Sequence, residues 1–260
     1  GSHFKIAGFT NLTQDHLDFH GTMERYFQAK ASLFKYGFSD LAVINIDDQY
    51  GAKLLAQIDI PAVTVSRTGQ ADWRYEEVNK FNRGTSVKIR GRDGILIEGT
   101  TKLLGDYNLD NLLMAVAIAV ISGIDPIEIS SNLHLYQGAP GRVEQIELGQ
   151  SFMAFVDYAH TPDAVINVLK SARQFTSGKL IAVLGCGGDR DKSKRPLMGQ
   201  ALTLADYPIF TSDNPRSEDP NQILSEMTHG VSHNGEVISD RRTAIARAVE
   251  LAGAGDVVAV

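Results

Sequence analysis

The amino-acid sequence predicts an α/β protein, with a mostly parallel sheet in its second half, and two patterns carry this prediction. After residue 141, short apolar segments alternate with helical segments, which is the rhythm of βαβ units. The stretch Gly138-Ala-Pro-Gly-Arg142 breaks any periodic element, since two glycines and a proline fall within five positions. We therefore expect one domain over residues 1–140 and a second over residues 141–260, with a linker where they meet.

The expected elements follow from apolar periodicity and from glycine and proline punctuation. In the first domain the sequence predicts helices over 22–34 and 108–122, strands over 41–46 and 61–66, and a hairpin over 85–98 that turns near residues 92–94. In the second domain it predicts strands over 152–156, 180–184, 207–210 and 257–260. The helices between them are expected over 162–175, 196–205, 221–227 and 242–252.

Polar, turn-rich segments follow three of the predicted strands in the second domain. They are Asp157-Tyr-Ala-His160, Gly185-Cys-Gly-Gly-Asp-Arg-Asp-Lys192 and Ser212-Asp-Asn-Pro-Arg216. Because the carboxyl ends of parallel strands meet at one edge of a sheet, and ligands bind there in open α/β sheets, these segments predict a ligand site at that edge.

Composition excludes several classes of protein. The 260 residues are 43% hydrophobic and 22% charged, which is typical of a globular protein with a full core. The net charge of −6 argues against general nucleic-acid binding. The longest apolar run, residues 112–121, is far short of the roughly 20 residues of a membrane-spanning helix. The single cysteine, Cys186, excludes an intrachain disulfide and fits a reducing cytoplasm, so we expect a cytoplasmic protein without membrane insertion.

The segment from Gly185 to Lys192 is similar to a phosphate-cradling loop, although an ordinary strand-to-helix turn explains it about as well. It is not a Gly-Lys-Ser/Thr loop, because Asp191 and not glycine precedes Lys192. It is not a Gly-x-Gly-x-x-Gly loop either, because Arg190 stands in place of the third glycine. Lys192, Lys194 and Arg195 at the start of the next helix favour a bound anion, since unpaired cations there would oppose the helix dipole. Arg216, after Pro215, either belongs to a simple turn or grips a carboxylate with two parallel hydrogen bonds.

The first domain has two weaker candidates. The segment Asn11-Leu-Thr-Gln-Asp15-His16-Leu-Asp18-Phe-His20 is either a solvated helix start or a magnesium site, because carboxylates and a histidine lie close together. Lys30 lies on a predicted helix, where a lysine usually faces solvent.

Two further pairs of polar residues each have a structural alternative. Asp47 and Asp48 follow a buried strand, where aspartates commonly form turns. Asn108 and Asn111 open the apolar helix, and helix capping explains one of them but hardly both.

Taken together and in this order, the segments resemble the motifs of the Mur ligase family. The segments that carry the resemblance are residues 11–21, 26–34, 45–48, 105–111, 141–144 and 157–162. The resemblance implies the C-terminal portion of the Mur ligase central ATPase domain, followed by a Rossmann-like α/β C-terminal domain. The family's Gly-Lys-Thr phosphate loop and N-terminal UDP-binding domain would precede residue 1, so we expect a fragment that is inactive in isolation.

Two segments point to one branch of that family, the branch that adds the third amino acid of the stem peptide. They are Gly185–Lys192 and Asp213-Asn-Pro-Arg216, and the second resembles the diaminopimelate-adding type, because lysine-adding relatives usually lack this arginine. The implied reaction joins meso-diaminopimelate to UDP-N-acetylmuramoyl-L-alanyl-D-glutamate through an acyl phosphate, using ATP, in peptidoglycan synthesis. The alternatives are a lysine-adding relative, a folylpolyglutamate synthase, and a non-catalytic fragment that binds an amino acid or a nucleotide.

The resemblance also implies roles for individual residues. His16 would bind Mg²⁺, and Lys30, carbamylated by carbon dioxide, would present a carboxylate-like group to a second Mg²⁺ and lose a buried positive charge. Lys192 would approach the γ-phosphate of ATP. Residues expected near ATP are Asn108, Asn111, Arg142, Asp157 and His160. Residues expected to bind diaminopimelate are Arg190, Asp213, Asn214 and Arg216.

Overall fold

The chain folds into two units, residues 1–137 and residues 138–260, each built around its own six-stranded sheet. The structure is a computed structural model, and it describes residues 2–13, 17–81, 84–136, 138–232 and 235–260, with only the backbone of residues 17 and 18. Among these residues, no helix combines the length and the apolar composition that a membrane span would need.

The first unit has a mixed sheet whose strands lie side by side in chain order. Its first four strands are parallel, and the last two continue the sheet as antiparallel neighbours. The strands are β1 (Phe4–Phe9), β2 (Ser39–Asn45), β3 (Ala62–Ser66), β4 (Trp73–Phe81), β5 (Gly84–Arg90) and β6 (Leu96–Thr101). The α-helices are α1 (Leu17–His20), α2 (Met23–Ala31), α3 (Gln49–Leu55), α4 (Asp106–Ile121) and α5 (Pro126–Asn132).

Both faces of the parallel part of this sheet are covered, which explains the continuous apolar run of β2. Val43 packs in a cluster with α4, whereas Ala42 and Ile44 pack in a second cluster with α2 and α3. All three side chains are fully buried. Successive residues of a strand point to opposite faces, so a strand between two helical layers must be apolar at every position.

The second unit has an almost entirely parallel sheet, as the sequence predicted. The strand order is β11-β10-β9-β12-β8-β7, and only β7 is antiparallel. The strands are β7 (Glu144–Gln145), β8 (Met153–Val156), β9 (Leu180–Leu184), β10 (Tyr207–Phe210), β11 (Glu236–Val237) and β12 (Val257–Ala259). The helices are α6 (Pro162–Arg173), α7 (Lys194–Leu202), α8 (Pro220–Thr228) and α9 (Arg241–Leu251).

Most predicted elements lie where the sequence placed them, including the hairpin of β5 and β6, which turns through Arg92–Gly94. Elements that were not predicted from the sequence include β1, β4, β7, β11, α3 and α5. Helix α3 was difficult to predict because it contains Gly51, and glycine is a poor helix former. A side chain at Gly51 would place its Cβ 1.9 Å from the carbonyl oxygen of Asn45, so the glycine allows α3 to pack against the end of β2.

Candidate functional site

The loops that follow β9 and β10 contact each other directly, and we call residues 185–193 and 211–219 the paired loops. Backbone N–H of Gly188 donates to the carbonyl of Asn214 at 3.0 Å, and the Ser217 hydroxyl donates to Asp189 at 2.7 Å. A Cβ added to Gly188 would lie 1.8 Å from the carbonyl oxygen of Pro215. Two of the polar segments predicted at this edge of the sheet therefore form one packed surface.

A buried arginine lies beneath the paired loops. The Arg195 side chain is 1% exposed, and both of its terminal nitrogens donate to Glu218, at 2.7 and 3.0 Å. One of them also donates to Glu226 on α8 at 2.6 Å. These contacts, with those from the Asp189 backbone and the Lys192 ammonium, lower the pKa of Glu218 from 4.5 to about 2.

This arrangement changes the prediction of an anion at the start of α7, which required unpaired cations. Arg195 is paired with two carboxylates, and the Lys192 ammonium lies 3.1 Å from Glu218, so the requirement fails for two of the three cations. The carboxylates offset the unfavourable dipole of the helix start, so Arg195 needs no external anion.

The paired loops leave a set of polar side chains exposed to solvent: Arg190, Lys192, Asp213, Asn214 and Arg216. Within the described part of the chain, Arg216 has neither a hydrogen-bond nor an ion-pair partner for its guanidinium. Its backbone has a positive φ of 53°, which is unfavourable for a residue with a side chain. The loops thus present a free cation on a turn that its surroundings must hold in place.

A second group of predicted residues gathers around Tyr158, after β8. Asp157 accepts hydrogen bonds from the backbone N–H groups of Val143 and Ala159, each at 2.9 Å. The Arg142 guanidinium lies 5.9 Å from the centre of the Tyr158 ring, and His160 Nδ1 lies 2.9 Å from the Tyr158 carbonyl oxygen. Asp157 therefore fixes the segment that carries Arg142, while Arg142 and His160 remain exposed.

The asparagines of α4 do not cap the helix. Helix α4 begins at Asp106, after Gly105, and none of the described side chains caps it. Asn108 is 6% exposed and donates its amide to the carbonyl of Leu104 at 2.9 Å, whereas Asn111 is exposed. Asn108 thus supports the first turn through this hydrogen bond, and Asn111 is the more accessible of the two to a ligand.

Lys30 is exposed on α2, with its ammonium 5.1 Å from the centre of the Tyr26 ring. The prediction that carbamylation of Lys30 would remove a buried positive charge is therefore wrong, because this side chain is exposed. His16 lies outside the described residues, and so does Asp15. Within the described residues, no group of three or more His, Cys, Asp or Glu side chains could hold a metal ion. The described side chains alone thus do not complete a magnesium site.

The two aspartates after β2 have different roles. Asp48 caps α3 by accepting from the backbone of Tyr50 and Gly51, which confirms the turn alternative for this residue. Asp47 accepts hydrogen bonds from the segment after β3, including the hydroxyls of Ser66 and Thr68, at 2.6 and 2.7 Å. Burial raises the pKa of Asp47, but these hydrogen bonds outweigh it, and the net shift is downward.

Arg67, which sequence reasoning missed, connects that segment to the start of α4. Its Nε donates to Asp110 at 2.7 Å, and its Nη1 lies 3.6 Å from Asp106. Burial raises the pKa of Asp110 despite this contact. No local pattern marks Arg67, because its partners lie far along the chain; its position just after a strand end was the only available signal.

The chain belongs to the Mur ligase family. The pattern described as "Mur ligase middle domain" matches residues 1–119, and that described as "Mur ligase, glutamate ligase domain" matches residues 141–260. Among solved structures, a UDP-N-acetylmuramoyl-L-alanyl-D-glutamate–2,6-diaminopimelate ligase is 40% identical with a TM-score of 0.66, over 98% of this chain and 54% of that one. A Mycobacterium tuberculosis folylpolyglutamate synthase complexed with ADP is 17% identical, with a TM-score of 0.76 over 98% of this chain and 60% of that one, and shares the fold.

Curated relatives named as UDP-N-acetylmuramoyl-L-alanyl-D-glutamate–2,6-diaminopimelate ligases match almost the whole chain. The Streptomyces coelicolor protein is 46% identical over 99% of this chain and 53% of its own length. The Synechocystis protein is 46% identical over 99% of this chain and 52% of its own length. The chain thus spans about half the length of these relatives.

The close approach of Gly188 to Pro215 predicts the effect of adding a single methyl group. We expect Gly188→Ala to destabilise the chain by about 2 kcal/mol, because its Cβ would overlap backbone that cannot rotate away. Gly187→Ala is the matched control, since its Cβ would meet its nearest neighbour at an ordinary 3.8 Å. Urea unfolding of both variants measures the difference, and equal stabilities would show that the loops are not packed as described.

Proposed function

We propose that a ligase containing this chain joins meso-diaminopimelate to UDP-N-acetylmuramoyl-L-alanyl-D-glutamate at the expense of ATP. Membership of the Mur ligase family supports the reaction class, and the names of the relatives support the substrates. The observation that carries the proposal is the exposed guanidinium of Arg216, which has no partner among the described residues. It lies beside Asp213 and Asn214, at the edge of a parallel sheet where ligands bind.

In this proposal the two parts of the chain divide the work. Residues 1–140 belong to the ATP-binding domain, and residues 141–260 bind the incoming amino acid. One solved structure that shares the fold, the MurF ligase of Thermotoga maritima, is in complex with ADP. From the resemblance of their segments to the family's motifs, we assign ATP contacts to five residues: Asn108, Asn111, Arg142, Asp157 and His160.

A carboxylate is a poor electrophile, so the D-glutamate side chain must be activated before an amine can attack it. Transfer of the γ-phosphoryl group of ATP gives an acyl phosphate, and its phosphate leaves as the amide forms. Such transfers depend mainly on positioning and on neutralising charge. Lys192 suits the second task, because its ammonium is largely exposed although Glu218 lies within 3.1 Å. Magnesium, when bound, would neutralise further phosphate charge, and we propose His16 and carbamylated Lys30 as its ligands.

Arg216 suits the choice between diaminopimelate and lysine. Diaminopimelate differs from lysine chiefly by a carboxylate at its far end, so a site that selects it needs a cation for that group. A guanidinium can donate two parallel hydrogen bonds to a carboxylate. Arg190, Asp213 and Asn214 flank this position on the paired loops and are proposed to contact the rest of the amino acid.

Arg216→Ala tests this role in a full-length ligase that contains these residues. We expect the KM for diaminopimelate to rise roughly 30-fold or more, because losing one partner of a desolvated charge pair costs about 2–5 kcal/mol. The KM for ATP should change little. Alanine keeps the cost of the positive φ, so the backbone penalty is similar in both proteins. The control is Arg242→Ala, an exposed arginine on α9. An unchanged KM for diaminopimelate in a folded Arg216→Ala protein would contradict the proposal.

Lys30→Ala tests the proposed carbamate ligand in the same enzyme. We expect kcat to fall by at least about 100-fold, because a lost metal ligand removes several kcal/mol of charge stabilisation. Added short-chain carboxylic acids should restore part of the activity. Lys35→Ala, an exposed lysine shortly after the same helix, should be close to normal. A near-normal kcat in the Lys30→Ala variant would contradict the proposed role of Lys30 as a metal ligand.

A further inference from the structure

We propose that Arg195 is a positioning residue for amino-acid selection, which acts through Glu218 to hold the turn that carries Arg216. This inference rests on the proposed function, because it assumes that Arg216 binds the second carboxylate of diaminopimelate. Arg195 itself is 1% exposed and lies beneath the paired loops, so it does not contact the ligand.

The contact between Arg195 and Glu218 is bidentate, and we call this pair of hydrogen bonds the fork. The two terminal nitrogens of the guanidinium donate to the two oxygens of the carboxylate, so the Glu218 side chain cannot rotate without breaking both bonds. The same carboxylate accepts the backbone N–H of Asp189 at 2.6 Å. Glu218 is therefore fixed to α7 and to the neighbouring loop at the same time.

Glu218 also closes the turn that contains Arg216. Backbone N–H of Glu218 donates to the carbonyl of Pro215 at 3.0 Å, and Arg216 lies between them with a φ of 53°. A positive φ is strained for a residue with a side chain, and this conformation persists only where surrounding contacts hold it. The fixed carboxylate of Glu218 at one end and the contact of Pro215 with Gly188 at the other supply that constraint.

Stability alone does not explain a buried arginine at this position. The Nε of Arg195 is buried and has no hydrogen-bond partner among the residues that the structure describes. The positive charge lies in the first turn of α7, where the helix dipole opposes it. Apolar side chains can replace buried ion pairs without loss of stability in other proteins. The fork fixes the orientation of Glu218, and an apolar side chain at position 195 could not do so.

The test compares Arg195→Lys with wild type in a full-length ligase that contains these residues. Lysine keeps the charge but cannot form the fork. We expect the KM for diaminopimelate to rise about tenfold, about 1.4 kcal/mol, while the KM for ATP stays within about twofold. The control is Arg247→Lys, which makes the same change at the surface pair of Arg247 and Glu236 and should leave both KM values unchanged.

A double mutant separates positioning from general structural support. If Arg195 acts through Arg216, Arg195→Lys should raise the KM for diaminopimelate no further in the Arg216→Ala background. An equal rise in both backgrounds, or a parallel rise in the KM for ATP, would overturn the inference. If Arg195→Lys does not fold, Glu218→Gln breaks the same fork and must give the same pattern.

The inference and the proposed function fail in different ways. If Arg216→Ala raises the KM for diaminopimelate and Arg195→Lys leaves it unchanged, only the inference is wrong. If Arg216→Ala itself has no effect, the proposed role of Arg216 is wrong, and the inference fails with it.

Discussion

A buried guanidinium must have its charge neutralised and its N–H groups hydrogen-bonded, and this constraint organises the paired loops of the second unit. Arg195 meets most of it with Glu218 and Glu226, which come from the next loop and the next helix. Separating the loops after β9 and β10 from each other or from helix α8 would break hydrogen bonds to this buried charge, so these parts are fixed relative to one another. The exposed residues of these loops are then presented on a rigid support.

The protonation of Glu218 adds to this constraint. Its pKa in the folded chain is about 2, below the ordinary value of 4.5, so folding favours the ionised form. The stabilisation is therefore fully present above pH 4.5 and is lost as the pH falls toward about 2. At neutral pH the fork between Arg195 and Glu218 stays intact.

Charged side chains also connect loops in the first unit. At the edge of its sheet, Asp47 and Arg67 tie the segment after β3 to the end of β2 and to α4.

The sequence predicted features that depend on neighbours along the chain. The apolar run of β2, the hairpin turn at Arg92–Gly94 and the polar segments after β9 and β10 all leave local patterns, and the structure has them. It did not predict the contact between Arg195 and Glu218, which are 23 positions apart, because nothing local marks which charged residues will be buried. The expected burial of Lys30 was wrong for the same reason, since the pattern of α2 does not settle whether other parts of the fold cover its polar face.

The central claim is that the paired loops hold Arg216 ready for a carboxylate at the far end of the incoming amino acid. The most direct measurement is a crystal structure of a full-length ligase containing these residues with meso-diaminopimelate bound. The account predicts that the distal carboxylate accepts two hydrogen bonds from Arg216, within about 3 Å, while Arg195 keeps its fork with Glu218. A carboxylate bound elsewhere, with Arg216 pointing to solvent, would contradict it.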